Sequence, residues 1–323
     1  MNVDSMILSE LSEAGYTSGE AISAKLEISR SAVWKHIVKL RERGYRIEAT
    51  PRHGYRLAGR PDKLLESELA PLLKTRALGR RIIHFDEVDS TADAARLQIT
   101  GGAPEGTAVF AEAQTGGRGR LGREWLTPPG KAIALSVILY PEMVPTQTPL
   151  LSLATALAIK NAVEETASVS IELKWPNDIL LSGRKLGGVL VEMAAELDRV
   201  KWVIDSIGLN VNNSLLGTAL EGRATSLVDE LGREISRREL AAAMLNQLEM
   251  AYNGALLSGG FTSIRRNFEK HDMLQGRSIA IDCPDGTING KAEGIDAEGR
   301  LLVRDARGKI HALFSGEVRL ASY

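Results

Sequence analysis

Gly116-Gly-Arg-Gly-Arg-Leu-Gly-Arg123 is the stretch on which the fold assignment turns. It follows the apolar run Thr107–Ala113, so a strand leads into it. Its glycines permit positive φ and close backbone approach. Its arginines, Arg118, Arg120 and Arg123, place planar donor forks where the backbone is most open. Gly117, Gly119 and Gly122 also spell G-x-G-x-x-G, the dinucleotide fingerprint. That motif needs a helix opening at its third glycine, whose N-terminus holds a pyrophosphate. Here Pro128-Pro129-Gly130 follows within eight residues and forbids a long helix. The acid twenty positions after Gly122 is Glu142, in a turn between Pro141 and Pro145 and not at a strand end. A doubly wound dinucleotide fold is therefore set aside. The loop reads as a cationic cover for a phosphate ester that develops negative charge, with a plain surface turn as the poorer alternative.

At 323 residues the chain is long enough for two or three domains. Apolar residues make up 44% and the net charge is −1, the profile of an ordinary globular chain. One cysteine, Cys283, excludes a disulfide framework or a cysteine-based zinc site and fits the reducing cytoplasm. The five histidines have no metal-ligand spacing. No secretory leader is expected at Met1-Asn-Val-Asp-Ser5, and no apolar run approaches bilayer length. The balance is not uniform. Arg30 to Arg60 holds nine Lys or Arg against Glu42 and Glu48, a stripe suited to a polyanion.

That stripe lies in a recognisable pattern. A short amphipathic helix is expected over residues 5–14 and a second over Glu20–Leu26. A third, capped by Ser29, is expected from Arg30 to Arg43, with Val33, Ile37 and Leu40 on one stripe. Residues 45–57 alternate as two strands joined at Pro51-Arg52-His53-Gly54. Three helices and a basic hairpin make a winged helix-turn-helix, whose third helix enters the major groove of DNA. Expected DNA-facing residues are Ser29, Arg30, Ser31, Lys35, His36 and Lys39 on that helix and Arg52 and Arg56 on the hairpin. A merely solvated helix face is the alternative; the hairpin's own arginines favour DNA.

Gly59-Arg60-Pro61-Asp62 reads as a joint, followed by a connecting helix over Lys63–Leu73. Strands are expected at Ile82–Phe85, Thr107–Ala113, Ala132–Leu139, Val169–Trp175, Leu186–Met193 and Trp202–Val211. Helices are expected at Thr91–Thr100, Leu150–Thr166, Arg237–Leu257 and Phe261–Lys270. The order lacks strict alternation, which favours a multidomain α+β chain. From Arg277 to Leu320, short strands with turns at Asp285-Gly286, Glu298-Gly299 and Arg307-Gly308 suggest a small antiparallel barrel. The expected division is a DNA-binding head over residues 1–60, a linker helix over 61–80, a catalytic domain over 81–271 and a barrel over 272–323.

Four segments concentrate the unusual polar residues. Asp89-Ser90-Thr91 stands at a helix start, where Ser90 or Thr91 serves as a cap and free N–H groups can also receive a ligand. The glycine–arginine loop follows Gln114. Lys174-Trp-Pro-Asn-Asp178 ends a strand with Asn177 and Asp178, either an Asx turn or oxygen ligands for magnesium held with phosphates. Arg184-Lys185-Leu-Gly-Gly188 opens a strand; Lys185 is either a surface lysine or an ammonium at a pocket rim, with Gly187 and Gly188 allowing close approach.

Together, in this order and spacing, Gly-Arg-Gly-Arg-Leu-Gly-Arg, Lys-Trp-Pro-Asn-Asp and Arg-Lys-Leu-Gly-Gly-Val-Leu-Val-Glu resemble the biotin protein ligases, and Gly208-Leu-Asn210-Val-Asn212 agrees. With the winged helix, the resemblance extends over nearly the whole chain to the bifunctional branch that also represses the biotin operon. It implies a class II synthetase-like mixed-sheet catalytic domain and an SH3-like C-terminal barrel. It also implies ATP and Mg2+, a biotin substrate, an acceptor such as the biotin carboxyl carrier protein, operator DNA, a ligand-promoted homodimer and a cytoplasmic setting. By the same resemblance, Lys185 bridges biotin's carboxylate and the α-phosphate, and Arg118 and Arg120 order over the adenylate. Ser90, Thr91, Gln114, Gly117, Arg118, Lys185, Gly187 and Gly188 are expected around biotin. Arg118, Arg120, Arg123, Trp125, Lys174, Asn177, Asp178, Lys185, Asn210 and Asn212 are expected around ATP, Asp178 also meeting Mg2+. The chain departs from the pattern at Ser206, where relatives often carry glycine. A biotin sensor with weak catalysis and a lipoate-type ligase of the same fold are the alternative readings.

Overall fold

The computed structural model describes residues 3–12, 14–256, 260–283 and 286–320. The chain divides into two compact units, Met1–Lys63 and Leu64–Tyr323. The first holds helices α1 (Val3–Glu10), α2 (Gly19–Leu26) and α3 (Arg30–Glu42) and a hairpin of β1 (Arg46–Thr50) and β2 (Gly54–Gly59). Ser18 and Ser29 cap α2 and α3 by accepting from the Ala21 and Ala32 amides at 3.0 and 3.1 Å. Ile7, Ile22, Val33, Ile37, Leu40 and Leu57 are buried. The first helix ends at Glu10, short of the expected residue 14, where Ser12 Oγ accepts from the Ala14 amide and draws the backbone into a local turn.

In the second unit the connecting helix expected over Lys63–Leu73 shrinks to α4 (Glu66–Leu69) and a 3₁₀ turn at Ala70–Leu72, because Pro71 supplies no N–H. There follow β3 (Ile82–Val88), α5 (Thr91–Thr100), β4 (Ala108–Gln114), β5 (Ile133–Leu139), α6 (Thr148–Ala167), β6 (Glu172–Lys174), β7 (Asp178–Leu181), β8 (Arg184–Ala195) and β9 (Val200–Leu209). Then come α7 (Leu227–Leu231), α8 (Arg237–Leu256) and α9 (Gly260–Glu269). Leu257, the expected end of α8, lies outside the described residues. Seven strands form one mixed sheet in the order β3-β4-β5-β9-β8-β7-β6, parallel between β3 and β4 and antiparallel elsewhere.

The alternation of strand side chains sorts the two faces. Phe110, Leu135, Val203 and Ile207 belong to the main core with α6 and α8. Val109, Ile138 and Ile204 pack with Ala92, Ala94 and Ala95 of α5 on the other face. Beyond Ile204 on that second face come Ser206 and Gly208, which with Gly188 and Leu190 of β8 border a cavity. At the start of the unit the Glu112 carboxylate accepts from the Leu64 amide, His84 and the fully buried Arg237 at 2.8–3.0 Å. Burial pushes the Glu112 carboxyl up, but the His84 bond, the Arg237 charge and the Leu64 N–H outweigh it and hold it at about 2.

The C-terminal strands are β10 (Ser278–Cys283), β11 (Gly286–Ile295), β12 (Leu301–Arg304), β13 (Ile310–Leu313) and β14 (Glu317–Leu320). They form an antiparallel sheet in the order β13-β12-β11-β10-β14. Among the described residues no pairing joins β13 to β14, so the sheet is open where a closed barrel was expected. Turns stand at Glu298-Gly299 and Arg307-Gly308; the one expected at Asp285-Gly286 falls partly outside the described residues. No helix is long and apolar enough to cross a membrane among the described residues.

Candidate active site

The cavity encloses about 640 Å³ and opens between the start of α5, the loop after β4 and the strands β7–β9. A chain of hydrogen bonds runs beside its floor. Gln114 donates through Nε2 to Thr127 Oγ1 at 2.9 Å, and its Oε1 accepts from the Thr91 amide at 2.9 Å and hydroxyl at 3.2 Å. Ser136 Oγ reaches Thr91 Oγ1 and Ser206 Oγ at 2.8 Å each. Ser206, the departure from the family pattern, is therefore accommodated as a member of this chain. Ser90 caps α5, its Oγ accepting from the Ala92 amide. Donors and acceptors held this firmly suit a compact polar ring and leave little room to reorient.

The loop forms a flap, not a helix start. Trp125 N donates to Gly117 O at 2.8 Å and Gly119 N to Arg123 O at 2.7 Å, with Leu121 and Gly122 at positive φ. Trp125 lies against Gly208, where an added Cβ would sit 2.3 Å from the indole. Its buried Nε1 has no partner among the described residues. Lys185 Nζ stands 2.6 Å from Asp178 Oδ1 and 5.8 Å from the centre of a Trp125 ring. Asp178 and Gly188 are register partners across β7 and β8, and a Cβ on Gly188 would lie 3.4 Å from the Lys185 ammonium. Gly188 thus leaves space for this lysine.

Three of the cations are matched by carboxylates of the protein itself. Arg118 donates to Asp93 of α5 at 2.7 Å, which raises the arginine and holds the Asp93 carboxyl below its usual range. Arg123 pairs with Glu317 of β14, and Lys185 with Asp178. Arg120 differs: it donates to the Asn177 side-chain carbonyl at 3.2 Å, and burial pulls its guanidinium down. It is the least compensated flap cation, aimed where an anion would be drawn in.

Of the expected ligand residues, Ser90, Thr91, Gln114, Arg118, Arg120, Arg123, Trp125, Lys174, Asn177, Asp178, Lys185, Gly188 and Asn210 line this cavity. Gly117, Gly187 and Asn212 do not. Gly117 is crowded by the Trp125 carbonyl and Gly187 by Gly208 O and Leu209, so both glycines serve chain packing. Asn212 clamps Ile235 through both amide ends, while Asn210 spans Thr225 O and Asn213. Sequence reading did not anticipate Asp93, Ser136 or Arg223: each is an ordinary polar residue until the fold sets it beside the motif residues. Among the described residues no cluster of three His, Cys, Asp or Glu could hold a metal.

In the first unit Ser29, Arg30, Ser31, Lys35, Arg52 and Arg56 lie at or near the surface of α3 and the hairpin. His36 is half-buried and Lys39 exposed, and both reach the buried Asp4, at 2.6 and 3.4 Å, joined there by Arg43. Burial pushes the Asp4 carboxyl up, but these partners hold it lower than usual. Arg56 pairs with Glu48 at 2.7 Å and packs over the Tyr16 ring.

Comparison with known proteins places the same segments in known families. Residues 5–56 match the HTH domain, 85–212 the Biotin/lipoate A/B protein ligase family and 276–320 the Biotin protein ligase C terminal domain. The chain is 41% identical over 313 residues to the bifunctional ligase/repressor BirA of Bacillus subtilis, with 96% of each covered. It is 29% identical to the Escherichia coli counterpart over 316 residues, 98% of this chain and 96% of that one. Among solved structures, the biotin protein ligase from Aquifex aeolicus in complex with biotin and ATP is similar with a TM-score of 0.67 and 29% identity, over 76% of this chain and 100% of that one.

Proposed function

The chain belongs to the family of bifunctional biotin ligase/repressors, and on that premise we propose that it activates biotin with ATP, passes it to a protein lysine and represses transcription through its DNA-binding head. In the first step a biotin carboxylate oxygen attacks the α-phosphorus. The new O–P bond gives biotinyl-5′-AMP as the bond to the β-phosphate oxygen breaks and pyrophosphate leaves with the electron pair. In the second step a neutral lysine amine attacks the acyl carbon, the acyl C–O bond to the phosphate breaks so that AMP leaves with the electron pair, and the nitrogen gives up a proton to solvent as the amide forms. Neither step needs a nucleophile from the enzyme.

The obstacle is the meeting of two anions, and cations fixed in place before reaction lower it most effectively. Lys185 swings from Asp178 to bridge the carboxylate and α-phosphate. Arg120 receives the phosphates, and Arg118 and Arg123 follow as their carboxylate partners are exchanged for substrate oxygens. Thr91, Gln114 and Ser206 orient the ureido ring under Trp125. Mg2+ arriving with ATP would offset phosphate charge; Asp178 and the Asn177 carbonyl supply the one or two hard oxygens that such an ion takes from protein. The observation that carries this reading is the convergence of Lys185 and the flap arginines on one cavity beside the Thr91–Gln114 chain. Incubation with biotin, Mg-ATP and the apo domain of a biotin carboxyl carrier protein should add one biotinyl group by mass. No addition by folded enzyme across several acceptor domains refutes it, and formation of adenylate without transfer would indicate a sensor. Lipoate should not replace biotin.

The remaining assignments extend the same proposal. Residues 1–60 act as head, 61–80 as linker, 81–271 as catalytic domain and 272–323 as an SH3-like module, in the cytoplasm. The adenylate orders the flap and promotes a two-fold dimer; β3 is an edge of the central sheet, which supports sheet-to-sheet association. Sedimentation with and without biotin and ATP tests this, and a monomer under both conditions counts against it.

A further inference from the structure

Lys39 and Arg41, two of the four lysines and arginines of α3, are engaged within the head. His36, Lys39 and Arg43 converge on Asp4, and Arg41 donates to the Ile47 carbonyl. Ser31, Trp34, Lys35 and Val38 remain on one face, at spacings of three, four and seven residues, with Arg30 at its start. Arg30, Ser31 and Lys35 are exposed, and Trp34 is 56% exposed at the centre of the face. Arg30 and Lys35 have no ion-pair partner among the described residues. A scattered apolar side chain on a surface needs no explanation. An indole set between two uncompensated cations, on the outward face of a capped helix, is placed like a contact residue.

We propose that Trp34 determines operator specificity by packing its indole on the 5-methyl group of a thymine in the major groove, with Arg30 and Lys35 on flanking phosphates. The inference rests on the head binding DNA. The groove edges of the bases are otherwise lined by hydrogen-bonding groups, and the thymine methyl is their apolar feature. Indole offers a broad apolar edge and a single donor, so it matches that methyl far better than it matches a phosphate. The flanking cations already fit the phosphates and carry no sequence information.

The test uses the full chain with biotin and Mg-ATP. Duplexes enriched from a random pool by the wild type supply the site, and each thymine in it is replaced in turn by deoxyuridine. At one position per half-site, loss of the methyl should weaken wild-type binding about fourfold. Trp34→Ala should bind the thymine duplex roughly tenfold more weakly than wild type and be indifferent to that replacement. Both proteins should bind random-sequence duplex equally. Unchanged circular dichroism and melting temperature establish that the variant folds. Trp34→Ala binding the selected site like wild type, or keeping the deoxyuridine sensitivity, overturns the assignment. Equal losses on selected and random duplexes also overturn it, in favour of a backbone contact. Failure of the wild type to enrich any sequence would instead bring down the repressor reading itself.

Discussion

Replacing Lys185 by methionine keeps most of the stem and removes the ammonium. The ammonium now lies 2.6 Å from Asp178 Oδ1, beside Trp125. A unit charge about 4 Å from an anionic oxygen contributes roughly 4 kcal/mol at an effective dielectric near 20. Loss of one preorganised donor to developing charge costs about 10²–10³ in rate. The two figures agree, and because the Lys185 side chain is 37% exposed, solvent screening favours the lower one. Lys185→Met also leaves Asp178 facing the incoming phosphates uncompensated. Biotin-dependent pyrophosphate release should therefore fall about 10²- to 10³-fold. Stability should hardly change, since a half-exposed pair contributes about 0–1 kcal/mol. Lys185→Arg should not rescue, because the fork is bulkier than the ammonium and the space over Gly188 is narrow. Pyrophosphate release by Lys185→Met close to the wild-type rate would refute the electrostatic argument.

Arg120→Gly should release biotinyl-AMP faster than Arg118→Gly, since Arg120 has no carboxylate partner to exchange; Arg118→Gly should leak too, and dissociation of isolated adenylate complexes measures both. Gly208→Ala would force the Trp125 indole away from β9, weakening biotin binding in calorimetry by about 1–3 kcal/mol; unchanged affinity would show that Trp125 does not cover the ligand. Asp205 is buried, with Oδ2 accepting from Thr155 and Oδ1 without a partner among the described residues. Burial pushes its carboxyl up from 3.8 to about 7, so the folded chain holds the proton through the acid range and releases it, at a cost, above that. Its contribution is complete below the unfolded value and is lost as pH rises through about 7. Asp205→Asn should thus raise the melting temperature near pH 8 and leave it almost unchanged near pH 4, and a pH-independent difference would contradict that.

Much of the architecture could be read from local rules. Ser29 caps the helix it was expected to cap. Thr91–Thr100 is helical over its whole expected length, and Pro128-Pro129 keeps the glycine–arginine segment from becoming a nucleotide-binding helix. Local rules failed where one segment does two jobs. Asn177-Asp178 reads as a turn, yet Asp178 also opens β7, because its neighbour β8 supplies the hydrogen bonds. Pro71 broke a helix that its apolar neighbours otherwise favoured.

The linear chain was enough to establish which chemistry is present: a flap rich in guanidinium, a lysine before two glycines, capped helices and a basic head. These depend on residue type and short spacing, which the chain carries without folding. Which cations are already neutralised was settled by packing alone. Asp93 meets Arg118, Glu317 meets Arg123, and Asp4 draws in His36 and Lys39, leaving Arg120 in the cavity and Lys35 and Trp34 outside. Those partners lie up to 194 positions apart. Electrostatic pairing falls off with distance through space, and separation along the chain says nothing about it.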